Sequence, residues 1–464
     1  MSFLPSLCPG CCQRDQEIAR LQARVAELED TCQRLRQELD QVRREQTRQA
    51  GRFRRRQLKK RRKKPGRKPG HPAALRPTPT PEQVDRIIAV PCPECPDCHA
   101  PLYDQKVVVQ YQTDLPPITP IITQFNIETG RCPCCRQFCQ GRHPEQISDA
   151  IGAAGNTLGP VILTMAAELK HRLGVPYRKI CDFFTTYCDL DICPAALVRA
   201  EQRLAELARP TYDLILDALR RAHVVHADET GWRISSVNAW LWVFSSKDIT
   251  IYAIRTSRGH DVPQDILGPD FDGFLIVDGF AAYDVLDYAK GRCNAHLLRR
   301  CKELIDAVPA REKHHVGTLI ALVREAIELA QRRDELTVDG YARRVQEMED
   351  RLDAWLEDLP HSPSQELDRL DWHVRKHRGE WLVFLHDAEV PATNNHAEQM
   401  LRPAVITRKV GGCNKTLLGA MVHSMLSSLM VTCKRQGKHF LDLARRLWRT
   451  GQLEAVDLAT LPIT

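Results

Sequence analysis

Apolar positions near the amino terminus follow a heptad pattern. They recur at alternating steps of three and four between Ile18 and Val42, and charged residues fill most of the other positions. This spacing is typical of a coiled-coil seam, so residues 1–50 predict a coiled coil through which the chain self-associates. An amphipathic helix packed on its own protein would show the same spacing. The seam positions are Ile18, Leu21, Val25, Leu28, Cys32, Leu35, Leu39 and Val42.

Residues 146–220 have the pattern of a helical domain. Apolar-rich runs such as "LGPVILTMAAELKHRL" and "CPAALVRAEQRLAELA" are separated by Gly-Val-Pro and by a polar turn. A short helix, a turn and a helix that begins near Pro194 would suit a helix-turn-helix. An ordinary small helical domain fits the same residues.

The pattern changes to that of β-strands in residues 221–310. Four runs, "HVVHADETG", "NAWLWVFSS", "ITIYAIRTS" and "GFLIVDGF", are rich in β-branched and aromatic residues. We expect the first to end at Asp228 and the fourth at Asp278. A single Asp at a strand end is usually a turn residue. Two of them at one edge of a sheet would repel each other unless a divalent cation lay between them.

Helical periodicity returns in residues 311–390, which predicts an all-helical insertion after the last strand. Residues 391–464 are then expected to return to the core with a helix that bears Glu398, the third acidic group of a site for two Mg²⁺ ions. Asn395 and Glu398 also fit a capping box, which is the structural alternative. The cations Arg402, Arg408 and Lys409 follow on the same helix and favour a site that handles phosphates, so we expect them to contact DNA.

Composition limits the class of protein. The chain has 464 residues with 43% apolar content, enough for several folded domains. We expect no apolar run to reach the roughly 20 residues of a membrane span, and the start lacks the pattern of a signal peptide. A cytoplasmic protein without membrane contact is predicted.

The net charge of +7 is modest, but positive charge is concentrated in residues 51–80. This segment predicts a basic linker that contacts nucleic-acid phosphates, a solvated disordered linker being the alternative. The flat "GRKPGH" element within it could enter a minor groove. The candidate contacts are Arg61, Arg62, Lys63, Lys64, Arg67 and Lys68.

The 18 cysteines favour metal binding over disulfides, because several form Cys-x-x-Cys pairs in a chain without a signal peptide. Two such pairs flank a stretch that we expect to be β-rich, and they predict a structural four-thiolate zinc site in residues 81–145. Its ligands would be Cys95, Cys98, Cys132 and Cys135, with Cys92 and Cys134 as alternatives. A further pair, Cys293 and His296, is expected to pack near Asp278; metal ligation by it is a less favoured reading.

Several motifs occur in a characteristic order: "HADETGWR", "WLWVFSS", "TSRG", "VDGFAAYD", "CNAHLLRRCKEL" and "NNHAEQMLRPAVITRK". Together with the heptads, the basic segment and the cysteine pairs, they resemble the transposases of the insertion-sequence 66 family. The resemblance implies an RNase H-like fold with an Asp-Asp-Glu triad, which corresponds to Asp228, Asp278 and Glu398. Glu229, Trp232, Arg233 and His296 match family positions near that triad.

The expected fold class is α/β: an RNase H-like catalytic core with an all-helical insertion, preceded by a coiled coil, a zinc module and a helical domain. The expected function is a transposase that uses Mg²⁺ or Mn²⁺ to cut element ends and join them to target DNA by two-metal phosphoryl transfer. The resemblance also implies accessory proteins of the same element as possible partners. A nuclease without joining activity and a zinc-containing DNA-binding regulator with a degenerate core are the alternatives.

Overall fold

The computed structural model describes residues 17–34 except 19, 26, 29 and 32, and residues 76–463 except 359, 361, 362 and 452. The described residues between 17 and 34 are helical, and their apolar side chains are about half exposed, for example Ile18 at 52% and Leu21 at 57%. The coiled coil stays a prediction. The rest of its seam and the six candidate DNA contacts of the linker lie outside the described residues.

The cysteine-rich segment contains one small hairpin, formed by β1 (Thr129–Arg131) and β2 (Phe138–Gln140). The expectation of a β-rich stretch before this hairpin is wrong, because residues 106–128 form no strand. Pro116, Pro117 and Pro120 lack the amide hydrogens that a ladder requires, and apolar side chains such as Val107 and Ile121 are almost fully exposed.

Three helices follow: α1 (Pro160–His171), α2 (Tyr177–Cys188) and α3 (Pro194–Arg220). Helix α3 begins at Pro194, as predicted, because the first turn of a helix does not need the amide hydrogen that proline lacks. It is much longer than the sequence suggested. Its buried side chains, including Leu204, Ala208 and Leu219, pack in the same hydrophobic cluster as the sheet.

The central sheet has five strands: β3 (Val224–Ile234), β4 (Val237–Ser245), β5 (Thr250–Arg255), β6 (Phe274–Val277) and β7 (Ala289–Arg292). Their order in the sheet is β5-β4-β3-β6-β7. The first three strands in this order are antiparallel neighbours, whereas β6 is parallel to β3 and β7 is parallel to β6. The four predicted strands are present, and β7 is an additional one.

Alternate residues of the sheet pack on opposite faces. Trp242 and Phe244 of β4 join the cluster of α3, whereas Leu241 and Val243 pack against α10 (Asn395–Gly411). On the first face the cluster also contains residues of α11 (Leu417–Arg435) and α12 (Phe440–Thr450). Both faces of the sheet are therefore covered by helices. A short helix, α4 (Asp261–Leu267), connects β5 to β6.

Helix α11 covers the edge strand β5 with hydroxyl groups. Ser424, Ser428 and Thr432 recur every four residues and accept hydrogen bonds from the amides of Ile254, Tyr252 and Thr250 at 2.8–3.1 Å. These bonds satisfy donors of the edge strand that would otherwise be buried without a partner.

The expectation that no apolar run reaches the length of a membrane span is corrected by this helix. By length and composition alone, Leu417–Arg435 could cross a membrane. Its most apolar window is 67% buried inside the protein, and its side chains pack in the main hydrophobic cluster. We therefore assign α11 as a core helix.

A group of helices separates β7 from α10, where the periodicity predicted them. They surround their own hydrophobic cluster, which includes Val316, Val323, Met348 and Trp355 and extends to Ile276 of β6. The helices are α5 (Asn294–Leu304), α6 (Lys313–Gln331), α7 (Val338–Glu357), α8 (Gln365–Lys376) and α9 (Val383–His386).

Candidate active site

The two aspartates lie near the position where β3 extends beyond β6. The last pair between these strands is His226 with Ile276, two residues before Asp228, and β6 ends at Val277, directly before Asp278. The expectation that β3 ends at Asp228 is wrong. The strand continues to Ile234, because its ladder with β4 extends over the polar residues that suggested a turn.

Strand alternation separates Asp228 from its neighbour Glu229. Asp228 shares a face with Trp232, which packs against α10, the helix that carries Glu398. Glu229 lies on the opposite face, where the Tyr283 hydroxyl donates to its carboxylate at 3.1 Å. Asp228 and Glu398 are therefore on the same side of the sheet.

A buried arginine fixes the backbone at Asp278. The Nη1 of Arg292 donates to the Asp278 carbonyl at 2.8 Å, and its other nitrogens donate to Asp284 and Glu380. The Arg292 side chain has no exposed surface. The Asp278 carboxylate accepts the Phe280 amide at 2.9 Å. Because Glu380 belongs to the segment between α8 and α9, Arg292 connects the helical insertion to the residue after β6.

Glu398 lies in the first turn of α10, close to its N-cap residue Asn394. The structural alternative, a capping box with Asn395, is wrong, because the helix begins at Asn395 and the preceding residue is the cap. The Asn394 side chain makes no bond within its own helix. Its amide group donates to the Ala227 carbonyl at 2.7 Å, and its oxygen lies 2.9 Å from Nδ1 of His226.

Burial and neighbouring acidic groups change the pKa of Asp228. Burial raises the pKa of Asp228 from 3.8 to about 7, and the charges of Glu229, Asp278 and Glu398 contribute to this increase. Among the described residues, no group of three or more His, Cys, Asp or Glu side chains is arranged to hold a metal ion. The carboxylates that contribute to the raised pKa of Asp228 would also attract a divalent cation.

The sequence did not reveal the network that holds Glu229. Arg258 donates two hydrogen bonds to Glu229 Oε1, at 2.8 and 3.1 Å, and its guanidinium lies 4.1 Å from the centre of the Phe280 ring. The Glu229 side chain is only 3% exposed. Asp284 is held in a similar way by Arg292 and Lys376. Both acids therefore have cationic partners within the protein.

Two further expected residues lie next to this centre. His296 Nε2 is 3.6 Å from Glu398 Oε1. Cys293 is buried, and its sulfur accepts the Asn394 amide at 3.1 Å. His296 thus lies beside the Glu398 carboxylate, whereas the sequence placed it near Asp278.

The three expected cations of α10 differ in their surroundings. Arg402 and Lys409 are exposed. Arg408 is half-buried, and its Nη1 donates to the carbonyl of Gly231, beside Thr230 Oγ1. Of these cations, Arg408 therefore lies against the strand that carries Asp228.

The two cysteine pairs form equivalent turns. In the first, the Cys95 amide donates to Ala100 and its carbonyl accepts from His99, both at 2.9 Å. In the second, Cys132 makes the same two bonds with Gln137 and Arg136, at 2.9 and 2.8 Å. Amides within each turn lower the pKa of the first thiol, those of Asp97 and Cys98 for Cys95 and those of Cys135 and Cys134 for Cys132. Such turns suit thiolate ligands, and their equivalence favours the spacing Cys95–Cys98 and Cys132–Cys135.

Comparison with known proteins adds a family assignment. A family model described as "Transposase IS66 family" matches residues 155–422, which include the five-stranded sheet, the helical insertion and α10. An uncharacterized protein, y4hP, from Sinorhizobium fredii (strain NBRC 101917 / NGR234) is 23% identical over 294 residues, which cover 55% of this chain. The chain spans about half the length of that relative, 51%.

Proposed function

Because this chain belongs to the IS66 family of transposases, we propose that it cuts the ends of a mobile DNA element and joins them to target DNA in a Mg²⁺-dependent reaction. The observation that carries the proposal is the position of three acids from distant segments of the matched region: Asp278 directly follows β6, whose ladder with β3 ends two residues before Asp228, and Glu398 lies on the helix that covers the Asp228 face. The negative charges of Asp278 and Glu398 contribute to the raised pKa of Asp228, and such neighbouring charges also attract a divalent metal.

We propose an RNase H-like core on the basis of the strand order. Three antiparallel strands, β3 to β5, are followed by two strands parallel to β3 on its other side. Helix α10 covers the face that carries Asp228. The helical insertion would be an addition to this core between β7 and α10.

In the proposed mechanism, Asp228, Asp278 and Glu398 would hold Mg²⁺ or Mn²⁺. When bound, the metal would neutralise charge on the phosphoryl group and activate the attacking oxygen. Arg292 holds the backbone of Asp278, and Asn394 connects the Asp228 strand to the Glu398 helix. Glu229, on the other face of the strand, is ion-paired with Arg258. Cations on α10, including Arg402, Arg408 and Lys409, would contact DNA phosphates.

The amino-terminal segments are proposed to bind DNA and to assemble the protein. Residues 1–50 would self-associate, and residues 51–80 would bind phosphates through Arg61, Arg62, Lys63, Lys64, Arg67 and Lys68. Cys95, Cys98, Cys132 and Cys135 would hold one structural Zn²⁺ in residues 81–145. Residues 146–220 would form the helical domain. We propose a cytoplasmic protein without membrane contact, with accessory proteins of the same element as further partners.

A joining assay tests the function. Purified protein is incubated with target DNA and pre-cut duplexes that carry the element's terminal sequences, read from the DNA flanking its gene, with and without Mg²⁺. Joined product that requires Mg²⁺ is the expected result. Cutting of uncut ends without joining would favour a nuclease, and binding without either reaction would favour a DNA-binding regulator.

A further inference from the structure

A cavity of about 210 Å³ opens at the edge of β3, beginning one residue beyond Asp228. Its volume is several times the roughly 30 Å³ that a water molecule occupies in the liquid. Strand β6 pairs with β3 only as far as His226, so it does not cover this edge. The cavity is lined by Glu229, Thr230, Gly231, Trp240, Arg258 and Arg408.

The position of Gly231 leaves the Trp240 side chain accessible. These two residues are directly opposite each other in the antiparallel ladder of β3 and β4. Side chains at such positions lie on the same face about 5 Å apart. Any side chain at residue 231 would therefore lie against the Trp240 ring. Because glycine has none, the indole contributes to the cavity wall, and Trp240 is only partly buried.

The charged groups around the cavity are mainly cationic. Arg258 is 44% exposed, whereas its partner Glu229 is 3% exposed and also bound by Tyr283. Arg408 is a second guanidinium on the opposite side of the strand edge, beside the Thr230 hydroxyl. The negative charge of Glu229 is thus neutralised by Arg258, and Arg408 gives the cavity a net positive charge.

We propose that this cavity binds one unpaired nucleobase of the DNA strand that passes the catalytic carboxylates. The base would stack on Trp240, and Arg258 and Arg408 would bind the adjacent phosphates. A phosphate alone would not require an aromatic surface, and a paired base cannot present its face because its neighbours cover it. This inference rests on the proposed function, since it requires DNA at the site.

Fluorescence anisotropy of the full-length protein, without Mg²⁺, tests the inference with three probes of one duplex sequence. The first is blunt, the second has a 3′ overhang of three thymidines, and the third has an overhang of three abasic nucleotides. The two overhangs carry the same phosphates, so any difference in affinity comes from the bases. The thymidine overhang should bind about tenfold more tightly than the abasic one, within the range measured for base stacking on aromatic residues.

Variants locate the difference. Trp240→Ala should abolish the preference for thymidine, and Trp240→Phe should retain most of it because the ring can still stack. Gly231→Val should also abolish it by covering the indole, and a β-branched side chain suits a strand. Gly231→Ala replaces this variant if thermal melting shows that it does not fold. Affinity for the blunt duplex should be the same in all of them.

Two results would overturn the inference while the proposed function stands. In the first, the wild-type protein binds the blunt duplex but has equal affinity for the two overhangs. This comparison needs no variant. The other is a thymidine preference that survives in both Trp240→Ala and the folded Gly231 variant. Failure of all three probes to bind would instead contradict the proposed DNA transaction, and the cavity with it.

Discussion

The side chain of Asn394 donates a hydrogen bond to the main-chain carbonyl of Ala227, at 2.7 Å. Ala227 immediately precedes Asp228 in β3, and Asn394 is the N-cap of the helix that carries Glu398. Asn394 is 1% exposed, and its own amide donates to the Cys293 sulfur. One buried residue therefore connects, through its side chain, the segments of two proposed metal ligands and, through its main-chain amide, the residue that follows β7.

Replacement of Asn394 by Ala should reduce the joining rate about a hundredfold, because a displacement of about 1 Å among catalytic groups can have an effect of that size. The free energy of unfolding should fall by about 1–3 kcal/mol, since the Ala227 carbonyl would lose its partner in a buried site. Urea unfolding and the joining assay measure the two effects. Asn395→Ala, at an exposed neighbour, is the matched control. Equal joining by the two variants would show that Asn394 does not position the site.

Arg292→Met should lower the free energy of unfolding at pH 7 by about 1–3 kcal/mol, because Asp284 and Glu380, which are both partly buried, lose their common partner. The exposed Arg299→Met is the control and should change little. Urea denaturation of both variants checks the difference. A loss of stability as small as that of the control would mean that the Arg292 network is not a structural connection to the insertion.

The cost of losing Arg292 should depend on pH. Burial alone would raise the pKa of Asp284, but hydrogen bonds from Lys376 and Arg292 more than offset it, so the pKa lies below its ordinary value. A lowered pKa in the folded state stabilises the protein above the unfolded pKa of about 3.9, and this contribution is lost as the pH falls through the folded value. The stability difference between wild type and Arg292→Met should therefore narrow below pH 4. Unfolding curves between pH 3 and pH 7 would contradict this if the difference stayed constant.

The effect of Asp228 on stability changes with pH in the opposite direction to that of Asp284. Its pKa is raised to about 7 in the folded protein, first by burial and then by the neighbouring carboxylates. Between about pH 4 and pH 7 only the folded state holds the proton, so this group makes the protein less stable as the pH rises. Relative to wild type, Asp228→Asn should gain stability from pH 5 to pH 8 without added Mg²⁺. Added Mg²⁺ should reduce that gain above pH 7, and a relative stability independent of pH would contradict the prediction.

The zinc proposal predicts about one tightly held zinc ion per chain. Cys135→Ser should lose it, whereas Cys134→Ser should retain it, because only Cys135 occupies the position that corresponds to Cys98 in the equivalent turn. Elemental analysis of the purified proteins measures the zinc content. Wild-type protein that folds without zinc would contradict the zinc site. Loss of zinc from Cys134→Ser but not from Cys135→Ser would show that Cys134 is the ligand instead.

Local patterns predicted the strands and helices that are rich in apolar residues, because periodicity and β-branched content act within a short segment. They did not predict β7, whose sequence "AKGR" has no apolar alternation, or the continuation of β3 through Asp228 and Glu229. The charged part of β3 is accommodated by Arg258 and Tyr283, which come from elsewhere in the chain.

The aspartates and Glu398 could be proposed from strand ends and from the family resemblance. The residues that support them could not. Asn394 was overlooked because a local capping pattern pointed to Asn395, while its real partners are in β3. Arg292 gave no signal either, since its contacts with Asp278, Asp284 and Glu380 arise only from tertiary packing.

The most direct test of the central claim compares joined product from wild type, Asp228→Asn, Asp278→Asn and Glu398→Gln. Pre-cut ends, target DNA and Mg²⁺ are supplied, and the exposed Asp287→Asn and Glu303→Gln serve as controls. Each triad variant keeps its size but loses the charge that would hold the metal, so joining should fall by orders of magnitude while folding and DNA binding persist. The controls should join at the wild-type rate. Wild-type joining by any one of the three triad variants would contradict the site, and Glu229 and Asp284 would be the next carboxylates to replace.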